Sequence, residues 1–406
     1  MKSASICLGF VLIALGACSS GQAPTADNGN RLSSGDSTDA DGGSTPDAGT
    51  NAVPLGQVGA ATDGTQALFI WTGGTQAGVH GARVAEDGTI LGSVTLPSAA
   101  ASGQNVAAAG YDGEKFLVTW LNEPSGSSSL SVHGARVSKQ GEALESQPLV
   151  LGSAGSGLLD DLDIGMRIAV AGGAGIFEVG WIAGGSFVNA RVDGCGAVGP
   201  ATVYAPPSGI MEQFPAAISF NGSLTTLCAF NGLLSWPGGP PGTPDVRVGD
   251  CHSYPAYGNP NQGWTNSSVP ALAYGGNTLA QAWSYQDKIF ATPDVQGRIG
   301  EHPFSLGSSA RDVEVGFDGT YFHVVWLTND YKDATLMEQR VGIDGSPIDS
   351  PVILEPATSH LADGISVACP GTTCMVGFHD DAGIGVIRLA GAAPGATGRI
   401  ALAAAP

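Results

Sequence analysis

One phrase returns along this chain at a spacing of about fifty residues, and that regularity restricts the possible folds more than any other feature. VHGARV stands at Val79–Val84 and again at Val132–Val137. Around it the same order of segments returns seven times. An apolar segment closes on an aromatic residue in ALFIW, FLVTW, FEVGW, TLCAF, LAQAW, HVVW and CMVGF, at positions 71, 120, 181, 230, 283, 326 and 378. A small-residue segment and a tight turn precede it, as in AATDG, NVAAAGYDG, AAISFNG and VEVGFDG. A third segment follows (VHGARV, VHGARV, FVNARV, PDVRV, KIFATP, MEQRV, GVIRL), then a second turn and a fourth apolar run such as PLVL at 148–151 or PVIL at 351–354.

Four short strands A to D, repeated seven times, predict an all-β chain: a β-propeller of seven four-stranded antiparallel blades over residues 53–406. Asp-Gly and Asn-Gly between the first two strands favour two-residue hairpins, with both central residues at positive φ. The 62 glycines and the 13% of charged residues fit strands and turns, with no long 3.6-residue periodicity to argue for helices. Two β-sandwich domains are the rival. A sandwich has no reason to repeat one four-strand phrase with the same closing aromatic.

Residues that repeat should serve what every blade must do. Arg83, Arg136, Arg191, Arg247, Arg340 and Arg388 hold one frame on the third strand. They are expected to cover apolar surface with their stems and to pair a nearby turn carboxylate or carbonyl, rather than to form an anion-binding ring. His80 and His133 share a frame and are expected to serve the scaffold too. Burying a Trp or Phe takes about 150–250 Å² out of water, so Trp71, Trp120, Trp181, Trp283 and Trp326 are expected to wedge blade against blade.

Ahead of the repeats, MKSASICLGFVLIALGAC has a Lys2 n-region, an apolar run from Ile6 to Leu15 and a small-residue exit, the order of a secretory signal over 1–17. LGAC resembles the lipobox of bacterial lipoproteins. That resemblance implies cleavage before Cys18, acylation of Cys18 and, with Ser19 next, an outer-membrane destination in the cell envelope. Residues 18–52 are poor in large apolar side chains and are expected to be an acidic, disordered Gly/Ser/Asp-rich tether. Their DADGGSTPD lacks the ligand spacing of a calcium loop. The repeat phrases are similar to those of propeller-bearing bacterial surface lipoproteins, and they lack the WD signature and the sialidase Asp-box.

Candidate functional residues should be those that do not repeat. With strands alternating up and down, the A–B and C–D turns share one face and the B–C and D–A connections share the other. Three insertions break the phrase on that second face: 152–165, 231–244 and 252–268. They carry Trp236 and Trp264, the tryptophans outside the repeat frame, with Tyr254 and Tyr257 between them. Aromatics among Asn, Gln, Pro and Gly can stack on sugar rings or grip a peptide; packing of the long loops is the competing role. Asp160, Asp161 and Asp163 are too few to specify a metal site, and His379-Asp380-Asp381 is one cluster at a strand end.

After export, Cys369 and Cys374 in CPGTTC flank a tight turn and are expected to form a cross-hairpin disulfide. Cys195 and Cys251 occupy one frame of adjacent blades and are expected to pair, with Cys228–Cys251 as the alternative. No catalytic residue set, metal site or cofactor motif is read from the chain. A net charge of −20 argues against nucleic acid as a partner. The leading expectation is a monomeric, membrane-tethered, non-catalytic module that binds a polysaccharide, a peptide or a protein. A propeller hydrolase or lyase acting on extracellular carbohydrate and an envelope structural protein are the alternatives. The enzyme reading would need carboxylates on the channel-lining A strands, which are nearly uncharged apart from Glu314.

Overall fold

The computed structural model describes residues 56–73, 78–96, 106–122, 130–155, 168–183, 186–204, 216–220, 224–229, 245–248, 271–275, 278–285, 288–294, 304–308, 310–328, 334–356, 364–389 and 396–404. They belong to a unit spanning Thr50–Pro406 and form strands and turns. The first sheet holds β1 (Gly59–Thr62), β2 (Gln66–Thr72), β3 (Val79–Ala85) and β4 (Ile90–Thr95). The second holds β5 (Ala107–Tyr111), β6 (Phe116–Asn122), β7 (Leu130–Val137) and β8 (Leu149–Gly155). The third holds β9 (Ala169–Gly173), β10 (Ile176–Ala183), β11 (Ser186–Asp193) and β12 (Thr202–Tyr204). The fourth holds β13 (Ala216–Phe220), β14 (Leu224–Ala229) and β15 (Asp245–Val248). The fifth holds β16 (Ala271–Gly275), β17 (Thr278–Tyr285), β18 (Lys288–Asp294) and β19 (Phe304–Ser308). The sixth holds β20 (Ala310–Phe317), β21 (Phe322–Thr328), β22 (Leu336–Val341) and β23 (Val352–Glu355). The seventh holds β24 (Ser366–Ala368), β25 (Met375–Asp380), β26 (Gly383–Leu389) and β27 (Ala396–Ala404).

The first strand of each sheet packs against the first strand of the next, from β1 through β5, β9, β13, β16 and β20 to β24, and β24 packs back against β1. That closed ring is a β-propeller, and it excludes a pair of sandwiches. Each sheet is built from consecutive strands, so the closing seam joins β1–β4 to β24–β27 without a shared strand. Val58 N–H donates to the Gly364 carbonyl at 3.3 Å and Gly371 N–H to the Gly64 carbonyl at 2.8 Å across that seam.

Two sequence expectations need correction. The fourth sheet has three strands among the described residues, and β15 pairs with β14 in parallel, Leu224 opposite Asp245 and Leu227 opposite Val248. The connection between them, 230–244, is rich in Pro and Gly. It is long enough for the crossover that a parallel pair requires. Second, β8 runs to Gly155, so the first residues of the supposed 152–165 insertion extend the outer strand of the second sheet.

The second strand of a sheet is buried on both faces, which is why it reads as an unbroken apolar run. All seven residues of β6 are buried. Alternation then sends Phe116, Val118 and Trp120 into a cluster with Leu68, Ile70 and Val79 of the sheet before. Leu117 and Leu121 join Phe177, Val179 and Trp181 of the sheet after. The closing aromatic points backward each time it is described: Trp71 toward Met375 and Ile384, Trp326 toward Ala280 and Ala282, Phe378 toward Leu327 and Leu336. Close approach near the axis needs glycine. A Cβ on Gly172 would stand 2.5 Å from the Tyr111 carbonyl oxygen and 2.9 Å from the Asp112 nitrogen of the preceding sheet.

Candidate functional site

The A–B turns are built alike, though not as two-residue Asp-Gly turns. Asp63, Asp112 and Asp318 sit one position before the turn's central pair, and Gly64, Gly113 and Gly319 take positive φ as its first central residue. This is the hairpin geometry that places Gly first. The carboxylate caps the turn: Asp318 Oδ1 accepts the Thr320 and Tyr321 amides at 2.7 and 2.6 Å, and Asp112 Oδ1 accepts the Glu114 and Lys115 amides at 2.7 Å each. The third sheet is the exception, with Ala174 and Gly175 both at positive φ.

These turns are tied to their neighbours by the frame arginines. Arg83 Nη1 donates to the Lys139 carbonyl in the next sheet at 3.0 Å, and Arg136 Nη1 does the same to the Gly194 carbonyl. Arg136 also pairs with Glu145 at 2.5 Å, and Arg340 with Asp349 at 2.6 Å. At the closing seam, the Thr372 amide and hydroxyl both donate to Glu86 Oε1 at 2.9 Å. Those bonds, with the charge of Arg388, hold the Glu86 carboxyl below its ordinary pKa. The arginines therefore do the scaffold work that their repetition implies; the side chain of Arg247 lies outside the described residues. His80 and His133 sit opposite Trp71 and Trp120 in register, with ring centroids 6.5 and 6.2 Å apart.

The other face is made by the B–C and D–A connections. Trp236, Tyr254, Tyr257 and Trp264, which the alternating strand order assigns to that face, stand at 230–244 and 249–270 and lie outside the described residues, as do Asp160, Asp161, Asp163, Cys251 and Cys18. Cys369 and Cys374 form the expected disulfide across the A–B turn of the seventh sheet. Cys195 is also disulfide-bonded. The His379-Asp380-Asp381 cluster does not converge: Asp380 is bonded to Arg399 at 2.5 and 2.8 Å, while burial lowers the pKa of His379. Among the described residues no group of three His, Cys, Asp or Glu is placed to hold a metal ion.

Two ionic networks were not anticipated from the sequence. The position three residues before the closing aromatic is apolar in five repeats, at Leu68, Leu117, Leu227, Ala280 and Met375, and ionisable in two, at Glu178 and His323, both of which stand opposite a frame arginine. Buried Glu178 accepts hydrogen bonds from Arg191 Nε at 2.7 Å, from Arg191 Nη2, and from Asn189 Nδ2 at 3.0 Å. His323, fully buried, lies between Glu338 and Asp318. The available signal was a charge in an otherwise hydrophobic frame position. Glu178 and His323 are themselves buried, while the Arg191 side chain reaches the surface.

No family model and no curated protein matches the sequence. Among solved structures, the chain is similar to a mutant of the Aleuria aurantia lectin in complex with alpha-methyl-L-fucoside, at 14% identity over 87% of this chain and 96% of that one, TM-score 0.46. It is also similar to the Dos1 propeller, at 9% identity over 87% and 88%, TM-score 0.42. A third likeness is to an alpha-L-arabinofuranosidase from Clostridium thermocellum, at 6% identity over 74% and 94%, TM-score 0.39. At these identities and scores the likenesses assign no activity to the chain.

Proposed function

We propose that this chain is a lipid-tethered, extracytoplasmic β-propeller that acts as a non-catalytic binding module. It takes a polysaccharide, a peptide or a protein partner on the face formed by the B–C and D–A connections. The observation that carries this reading is a division of labour between the two faces. On the turn face, repeated aspartates cap hairpins and repeated arginines bridge blades, so its polar groups serve the ring itself. The residues that break the repeat, including Trp236, Tyr254, Tyr257 and Trp264, stand in long connections outside that repeated turn frame and are assigned here to the opposite face. Flat aromatic rings offer a large apolar area together with a polar edge, which suits a sugar face or a peptide.

The first test replaces Trp236 and Trp264 together by Ala and screens the full chain on glycan arrays and in envelope pull-downs. Retention of the bound ligand should fall by about thirtyfold, the loss expected for an anchor worth ~2 kcal/mol. The melting temperature should stay as it is. A variant that melts earlier and binds as before would assign these rings to loop packing instead.

The tether is tested separately. Cys18→Ser removes the thiol that the lipobox resemblance assigns to acylation, so the variant should move from the membrane fraction to the soluble fraction on centrifugation. Stable anchoring takes more than one acyl chain, so partial acylation should give an intermediate partition. A Cys18→Ser protein that still sediments with membranes would remove the anchor from this proposal and leave the binding face untouched.

A further inference from the structure

The sixth sheet buries ionisable groups where other sheets bury hydrocarbon. His323 on β21 is fully buried, and it points toward the seventh sheet. Its neighbours of the same parity, Val325 and Leu327, join the cluster that holds Val376 and Phe378. Gly316, opposite His323 in register, approaches so closely that a Cβ there would lie 2.5 Å from Cys369 Sγ. On either side of the imidazole stand two carboxylates. Nδ1 is 2.6 Å from Glu338 Oε1, and Nε2 is 3.0 Å from Asp318 Oδ2.

A neutral imidazole has one N–H and one lone pair, and an ionised carboxylate only accepts. Both contacts are hydrogen bonds only if the cluster carries one proton more than a neutral ring with two carboxylates. Without that proton, a lone pair would face a carboxylate oxygen in a site that water does not reach. The sixth and seventh sheets meet here, and the seventh closes the ring without lending a strand to the first.

We propose that the Asp318–His323–Glu338 cluster is a proton-dependent latch on the seam between the sixth and seventh sheets, closed while it holds the extra proton and loosened at alkaline pH. The other charged groups on this side of the sixth sheet are accounted for. Asp312 accepts the Gly364 and Ile365 amides across the seam at 2.8 and 3.0 Å. Glu314 lies half-buried on β20, and Arg340 is paired with Asp349. From the seventh sheet the seam receives Val367, Val376, Phe378 and the Cys369–Cys374 disulfide, none of which titrates. Burial opposes the charged ring, yet the hydrogen bonds and charges of Asp318 and Glu338 outweigh it and raise the His323 pKa. A raised folded-state value gives stabilisation that is complete below the unfolded histidine pKa and is lost as pH rises through the folded one.

Hydrogen exchange on the full chain between pH 5 and 9, expressed as protection factors, tests the latch. Protection in β21, β22, β24 and β25 should fall with rising pH, by about tenfold for each unit that separates the two pKa values. Protection in β2 and β6 should not change with it. His323→Gln should flatten the profile of the sixth and seventh sheets. If that variant does not fold, Glu338→Gln serves in its place, and the loss should then shift to lower pH. Equal pH dependence in every sheet would overturn the latch, as would a His323 resonance that titrates below the ordinary histidine value.

Discussion

Trp120→Ala should lower the unfolding free energy by about 3–5 kcal/mol, the cost of removing a large aromatic from a packed interior. The indole is fully buried and sits in the seam between the first two sheets, against Leu68, Ile70 and Val79 on one side and Ala107 and Ala109 on the other. These neighbours belong to strands fixed by their own ladders, so they cannot collapse into the space left behind. Trp120→Phe makes the informative control. The Trp120 indole N–H has no hydrogen-bond partner in its buried position, unlike that of Trp181, which donates to the Ser153 carbonyl at 3.0 Å. Phenylalanine therefore loses volume but also removes an unsatisfied donor, and about half the alanine penalty or less is expected. Equilibrium urea unfolding of the full chain checks both. A Trp120→Ala midpoint within experimental error of the parent would mean that the closing aromatics are not what holds adjacent sheets together.

The scaffold was legible because equivalent strands meet equivalent neighbours, so the same chemistry had to be spelled seven times. The frame arginines, the capped A–B turns and the backward-pointing aromatics are each a repeated answer to a repeated environment. What the sequence concealed depends on which side chains meet across neighbouring strands and turns. His323 meets Glu338 across a strand pair, and each alone looks like an ordinary polar residue among hydrophobic ones. The parallel β15 was hidden for a related reason. PDVRV matches the third-strand phrase, but direction is set by the connection before it, and 230–244 is long enough to carry the chain back before the strand begins. The Asp-Gly turns were located correctly and misread by one position, because the carboxylate's role as a cap is decided by amides two and three residues on. The candidate aromatics stand where the repeat is broken, where by construction a repeat has nothing to say.

Glu178 offers a sharper test of the rule that the frame position tolerates either hydrocarbon or a satisfied charge, and nothing between. Glu178→Ala should cost about 3–5 kcal/mol, because it removes the partner of Arg191 and leaves a cavity and an unpaired Asn189 amide together. The second sheet already contains the alternative solution at the same positions: Leu117 where Glu178 stands, Gly134 where Asn189 stands, and Arg136 where Arg191 stands. Arg136 then bonds outward to Glu145 and the Gly194 carbonyl. The Arg191 side chain keeps 29% of its surface exposed, so it too can turn its head to water once the glutamate is gone. Glu178→Leu combined with Asn189→Gly should therefore recover most of the loss and lie within about 1–2 kcal/mol of the parent, as buried ion pairs replaced by well-packed apolar groups often do. Urea midpoints for the single and the double variant decide the matter. Equal destabilisation by both would show that the third sheet needs its ionic network for the fold itself, and that the seven sheets are not interchangeable at this position.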